Sequence, residues 1–492
     1  MKGWSSSRCS ESLKGDASTT ACGPFCACHY LVFPVISVAV SPAKAAAGRH
    51  WSWTSVVDAL RTIAPQQSFR QLATAKADIR HFCILSILLI QRATREHGSV
   101  ILLPVSSPSG VLMSSKATTA ACPETRADMS PIMRRLKFTG DNDFYVELKR
   151  RVDLHMTNNG RRQRDCPEMY LKTAIILATF FASYWLLVFM SSTWWQALPV
   201  AVVLAFATAA IGFNIMHDAS HRAYSNKPWV NRLAQSSLDL IGGSSYFWRW
   251  KHVVFHHTYA NIYGYDTDVD LGDLGRLTPH HKRLRIHSWQ HWYLWFLYGA
   301  LAVKWSFLDD FRVAIRGRIG AHQYPRLKGR DLAFFLFGKL LFFTIAFGIP
   351  LLFHTVWIVA LFYIFIAFIV GIVLSVVFQL AHAVEDARFP RPQTPGRMET
   401  PWAIHQVETT VDFARNSRAA YWLLGGLNFQ IEHHLFPRIC HINYPLIAPV
   451  VEETCREFGV RYTAHETFRQ ALMSHFHWLR QMGAPSEAEA TI

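Results

Sequence analysis

Four apolar runs constrain this chain more than any other feature in it. Tyr170–Met190, Ala197–Met216, Leu332–Phe353 and Ile358–Leu380 each reach the length of about 20 helical residues that crosses a hydrocarbon layer about 30 Å thick. Inside a bilayer no water satisfies the peptide groups, so runs of this kind span as helices. The four fall into two pairs. Thr193–Gln196 and His354–Trp357 join the members of each pair and contain no Lys or Arg, whereas the outer flanks are basic. Lys and Arg mark the cytoplasmic side of a membrane, so both hairpins are expected to open toward the cytoplasm. Composition agrees, with 51% hydrophobic residues against 17% charged. The net charge of +16 does not indicate nucleic-acid binding, because the charges are dispersed and no recognition motif accompanies them.

The remaining chain divides around these spans. Residues 1–128 are rich in Ser, Thr and Ala and hold only short apolar runs, which predicts a poorly structured N-terminal extension. A second reading is that this stretch is no part of the natural protein, with Met129 or Met133 as the start. Residues 129–168 form a basic lead-in, in which Phe144, Leu148 and Val152 recur at helical spacing. Residues 169–462 form the membrane domain, with spans at about 170–190, 197–216, 332–353 and 358–380. Trp289–Trp305 is apolar but interrupted by His291 and Lys304, which suits a helix lying in the interface. Residues 463–492 form a cytoplasmic helical tail, with Arg469, His475 and Arg480 read as its solvated face. Six of the nine cysteines precede residue 130, and the Cys22, Cys26, Cys28, His29 grouping matches no zinc spacing.

Three histidine clusters stand beyond the ends of the spans: His217-Asp-Ala-Ser-His221, His252-Val-Val-Phe-His256-His257 and Gln430-Ile-Glu-His433-His434. Residues four apart on a helix lie about 6 Å apart on one face, and imidazole is a general transition-metal ligand. Seven histidines and a glutamine exceed what one ion can use, so the count points to two. His382 ends the fourth run as His217 ends the second, and is expected to join them. Asp218, Glu385, Glu432 and His405 are candidates to orient the ligand imidazoles. Asp266, Asp268 and Asp270 read as a polar loop or as support for the site. Arg249, Lys251, Lys282, Arg283 and Arg285 could hold an anionic head group.

Taken as an ordered set, these clusters and the two intervening hairpins resemble the membrane fatty acid desaturase family, over roughly residues 135–462. Gln430 in the third cluster, the run His433-His434-Leu435-Phe436-Pro437 and the stretch Trp402–Thr410 resemble the front-end, linoleoyl-CoA desaturase-like subgroup. The resemblance implies an all-α integral membrane fold, with four transmembrane helices in two hairpins and a cytoplasmic helical cap holding a histidine-ligated di-metal site. It implies two iron ions, with His217, His221, His252, His256, His257, His382, Gln430, His433 and His434 as ligands. It further implies O₂ as co-substrate, a fatty acyl-CoA or acyl-lipid substrate in the membrane lipid, and a cis double bond of delta-6 or delta-5 type. Stearoyl-type members hold a water on iron with an asparagine. Phe378 and Gln379 stand one turn before His382 here instead. The His-Pro-Gly-Gly heme motif of a fused cytochrome b5 does not occur in this sequence. Electrons are therefore expected from a separate carrier, ferredoxin or cytochrome b5 with its reductase.

Two rival readings follow from the same residues. A di-iron hydroxylase or ketolase would share the scaffold and the first hydrogen abstraction. A histidine-rich metal transporter would place its ligands within the spans near the midplane, not beyond their ends. A bacterial inner membrane is favoured over the endoplasmic reticulum.

Overall fold

The computed structural model describes residues 135–485, and the readings of residues 1–128, of Met129 and Met133 and of the early cysteines lie outside them. Four helices are long and apolar enough to cross a membrane: Pro167–Met190, Trp194–Ser220, Gly329–Leu352 and Val356–His382. These match the four apolar runs within a few residues. The second runs further than its hydropathy suggests, because the helix continues through His217. Pro167 opens the first span at a position where its missing N–H costs nothing. Among the described residues, strands are confined to two-residue pairings. The chain is thus an all-α integral membrane protein.

Packing brings the two hairpins together at their histidine-bearing ends. The fourth span lies against the second and against the helix Gln290–Gly299. A Cβ at Gly371 would fall 2.6 Å from the carbonyl oxygens of Tyr298 and Gly299, so only glycine permits this approach. The Trp289–Trp305 segment does not form a fifth span. It is helical over Gln290–Gly299 and Leu301–Lys304, broken at Ala300, with Trp289, Trp292 and Phe296 exposed.

The lead-in helix spans Asp143–Asn158 and buries Phe144, Leu148, Val152 and Met156 against Ile447 and Val451. One expectation is corrected at the C-terminal end. His475, read as part of a solvated face, is wholly buried in the helix Phe468–Gly483. Its Nδ1 donates to the Ala383 carbonyl at 2.7 Å, and Nε2 meets the Tyr298 hydroxyl at 3.0 Å. Helical spacing placed it on a face, but long-range packing decided which face turns inward. Arg469 and Arg480 are exposed as expected.

A buried ion pair fastens the third span to the cap. Lys339 Nζ donates to Asp310 Oδ2 at 2.7 Å, to the Gly242 carbonyl at 2.7 Å and to the Ser306 carbonyl at 3.2 Å. Trp305 Nε1 donates to the other Asp310 oxygen at 3.0 Å. All three ammonium protons are used, as burial of such a charge requires.

Candidate metal centre

Each cluster sits on a short helical segment whose geometry the sequence pattern did not reveal. Ile211–Met216, leading into His217, is π-helical, and so is Arg249–His256. A π turn holds more residues than an α turn, and such turns concentrate at functional sites. In an α-helix His257 would point well away from His252. The wider turn brings both His256 and His257 back toward it. The His252 and His256 rings stack with centroids 5.2 Å apart, while His257 Nε2 lies 3.3 Å from His252 Nε2. The third cluster is the buried helix Gln430–Leu435, whose first turn is held by Asp412 Oδ1 accepting from the Ile431 N–H at 2.9 Å.

All nine candidate ligands are buried and converge as two adjoining sets. Donor atoms of His217, His221, His252 and His433 lie within 4.8 Å of one another, as do those of His256, His382 and His434. His257 stands between the sets. Its Nε2 is 3.0 Å from His433 Nε2, and its ring lies 4.3 Å from that of His434. The Gln430 amide nitrogen donates to His382 Nε2 at 3.0 Å.

These residues fit metal ions on two grounds. Two imidazole nitrogens bound at about 2.1 Å to one ion lie roughly 3.0–3.4 Å apart, and His217–His252, His252–His257 and His257–His433 are separated by 3.1, 3.3 and 3.0 Å. Further, His221 Nε2, His434 Nε2 and Gln430 Oε1 are buried without a hydrogen-bond partner. Each such orphan costs about 1–3 kcal/mol unless something accepts its lone pair. Burial holds the His221, His252, His257, His433 and His434 imidazoles well below the usual histidine range, so they are neutral donors.

The groups that orient the rings differ from those expected. His256 Nδ1 donates to Asp266 Oδ2 at 3.0 Å, and His434 Nδ1 donates to Gln406 Oε1 at 2.7 Å. Both bonds leave Nε2 with its lone pair facing the site. Burial disfavours a proton on His256, but the Asp266 and Asp268 carboxylates together outweigh it and raise the value. His433 Nδ1 meets the Tyr444 hydroxyl at 3.1 Å. Asp268 lies 3.6 Å from His256 Nδ1 and pairs with Lys251 at 3.0 Å. The acidic run therefore supports the site through Asp266 and Asp268, while Asp270 faces His281.

None of the four proposed orienting residues contacts a cluster imidazole by a hydrogen bond. Asp218 accepts from both the backbone and the ring of His441, at 3.1 and 2.8 Å. Glu385 is largely exposed and lies 3.5 Å from His477. Glu432 accepts from the Tyr462 hydroxyl at 3.0 Å; burial beside Asp412 raises its value well above the carboxylate range. His405 Nε2 donates to the Ala260 carbonyl at 3.0 Å, fixing the loop after the second cluster. Asp218 and Glu432 stand beside candidate ligands in sequence, but their helical positions turn them toward His441 and Tyr462. Gln406 lay in the stretch that carried the resemblance; Tyr444 gave no signal. Of the head-group candidates, Lys251 is tied to Asp268 and Arg283 donates to the Gly483 carbonyl at 2.8 Å, whereas Arg249, Lys282 and Arg285 are exposed.

Asp266→Asn keeps the shape but weakens the bond that aims His256. It is expected to lower metal affinity by roughly 10–100-fold, read by chelator titration of the purified protein.

Four helices long enough to cross a membrane carry two adjoining buried histidine sets that could hold metal ions, the arrangement of a membrane-bound enzyme class. The family model for fatty acid desaturases matches residues 192–466. An sn-1 linoleoyl-lipid 6-desaturase of Arthrospira platensis is 39% identical over 363 residues, 74% of this chain and 98% of the relative. Another from Synechocystis is 38% identical over 354 residues, 72% of this chain and 99% of the relative. An acyl-lipid (8-3)-desaturase of Physcomitrium patens is 40% identical over 349 residues, 70% of this chain and 72% of the relative. The chain belongs to the fatty acid desaturase family and is an oxidoreductase of fatty acyl chains.

Proposed function

We propose that this enzyme is a front-end acyl-lipid desaturase, inserting a cis double bond between an existing one and the carboxyl end. It uses two irons, O₂ and two electrons from a separate carrier, ferredoxin or cytochrome b5 with its reductase. Its catalytic face is cytoplasmic, in a bacterial inner membrane. The observation that carries the reading is the convergence of nine ligand side chains where the second and fourth spans meet. The lipid-linked substrate, in preference to a coenzyme A ester, is supported by the similar proteins, which are named for acyl-lipid substrates.

When bound, two irons would supply the redox chemistry that activates O₂ for removal of hydrogens from an unactivated methylene pair. His217, His221, His252 and His433 would hold one, and His256, His382 and His434 the other, with His257 between them and Gln430 beside His382. Asp266, Gln406 and Tyr444 fix ring orientation. Trp248 stacks on His252 with centroids 4.3 Å apart, and Phe378 lies 5.9 Å from the same ring. These side chains keep water from a centre where it would divert reactive species. An apolar cavity of about 390 Å³ runs among all four spans, lined by Phe180, Leu204, Ile241, Phe342 and Val370. It reaches the far-side turns at Thr193 and His354, and none of the nine candidate ligands lines it.

The test is expression in a host fed defined fatty acids, with double bonds located by mass spectrometry. A new double bond on the carboxyl side of an existing one is expected. A hydroxylated product would move the enzyme to the rival reaction on this scaffold, and unchanged lipids would sink the reading. Gln430→Ala should impair turnover severely. Gln430→His should retain two irons with altered turnover, since imidazole is a softer, stronger donor than an amide oxygen. Wild-type turnover and iron content in Gln430→Ala would reduce Gln430 to a scaffold residue.

A further inference from the structure

Asn261 lies in the loop after the second cluster, wholly buried and in the left-handed backbone conformation, with φ of 58°. Glycine adopts that conformation freely, and asparagine is one of the few other residues that tolerate it. If the bend alone mattered, glycine would serve. The side chain is instead used at three places at once. Its amide nitrogen donates to the carbonyls of His382 at 2.9 Å, Arg388 at 3.2 Å and Thr409 at 3.2 Å. Two protons meet three acceptors, so one bond is shared. The backbone N–H of Asn261 donates to Asp266 Oδ2 at 2.9 Å, the oxygen that also accepts from His256 Nδ1. The side-chain Oδ1 is buried without a partner. The position therefore uses the donors of the amide and leaves its acceptor idle.

These bonds converge on one of the two histidine sets. His256 is reached through Asp266. His382 is reached at its own carbonyl, where the fourth span ends. Thr409 directly follows the helix Trp402–Glu408, and that helix carries Gln406, which accepts from His434 Nδ1. All three members of the His256, His382 and His434 set thus stand on segments that Asn261 ties together. None of its hydrogen bonds reaches the segments carrying His217, His221 or His433. The bonds to His382 and Thr409 close 121 and 148 residues of chain, so local backbone preference does not hold these segments in place.

We propose that Asn261 is the positioning residue of the second metal site, its amide fixing how far apart His256, His382 and His434 stand. The proposal rests on the two-metal reading of the centre. Groups that orient metal ligands from behind change metal affinity by about 10–100-fold. Asn261 acts on three ligands of one ion and on the backbone rather than the rings, so its loss weakens one site and spares the other.

The test uses the full chain in lipid nanodiscs, loaded with ferrous iron alone. Bound iron is counted and then withdrawn by chelator titration. Wild type is expected to hold two irons. Asn261→Asp keeps the size of the side chain but sets an acceptor against three carbonyl oxygens. Asn261→Gly keeps the left-handed backbone and removes the amide. In both variants one iron is expected to be held about 10–100-fold more weakly, while the other withdraws as in wild type. The His256→Ala background assigns the loss: its remaining iron belongs to the His217 set, and adding Asn261→Gly should leave that iron's affinity unchanged. Two irons of wild-type affinity in Asn261→Gly would mean that the position needs only its bend, and would overturn the proposal. Equal weakening of both irons, a further loss in the His256→Ala background, or failure of both variants to fold would make Asn261 a general support of the fold and overturn it as well. Each of these results leaves the two-metal reading standing. Wild type holding fewer than two irons removes that reading, and this proposal with it.

Discussion

His257→Ala is expected to lose both metal ions and all measurable desaturation, whereas His256→Ala should retain the ion held by the His217 set. The difference comes from position. His257 Nε2 lies within 3.0 Å of His433 Nε2 and 3.3 Å of His252 Nε2, and its ring is 4.3 Å from that of His434. Removing it strips a donor that lies against His433 of one set and His434 of the other. Removing His256 takes a donor from one set and frees Asp266, which is buried and would then lack its imidazole partner. Metal analysis of the purified proteins decides the matter. Retention of one full equivalent in His257→Ala would show that the imidazole serves a single ion.

The second large effect concerns stability. Breaking a buried charge pair by removing one partner costs about 3–5 kcal/mol, because the other charge is left buried and uncompensated. Lys339→Ala should therefore lower the melting temperature substantially, since Asp310 would keep only its bond from Trp305. Replacing Lys339 by Met and Asp310 by Leu together should recover much of the loss, because buried pairs often exchange for apolar ones at little net cost. Thermal melts in lipid nanodiscs of both variants provide the check. A single variant as stable as wild type would mean that water reaches the pair.

The spans were readable because hydropathy over about 20 residues is a strong one-dimensional signal. The candidate histidines stood out for a different reason: His217 and His382 end the second and fourth spans, and two further clusters lie in the polar segments that follow those ends. What was hidden lay across long sequence distances. Gln406 and His434 are 28 residues apart, and Ala383 and His475 are separated by 92, with nothing in local periodicity to connect them. The π turns were hidden too, since Arg249–His256 has the same apolar and polar content as an ordinary helical segment.

Those π turns decide where chain length, as well as side-chain identity, is a protected quantity. Deleting one residue from Ile211–Met216 would let the second span close as regular α-helix, with better backbone hydrogen bonding throughout. Because a π turn holds about one residue more than the α turn that would replace it, the helix beyond would keep its angular place. A deletion in the α-helical stretch Trp194–Ala210 would instead rotate everything downstream by about 100° and carry His217 off the site. In Arg249–His256, a deletion between His252 and His257 would leave the two four apart on one helical face. The π turns are thus where a one-residue change in length is absorbed, and the regular helix before them is where it would empty the site.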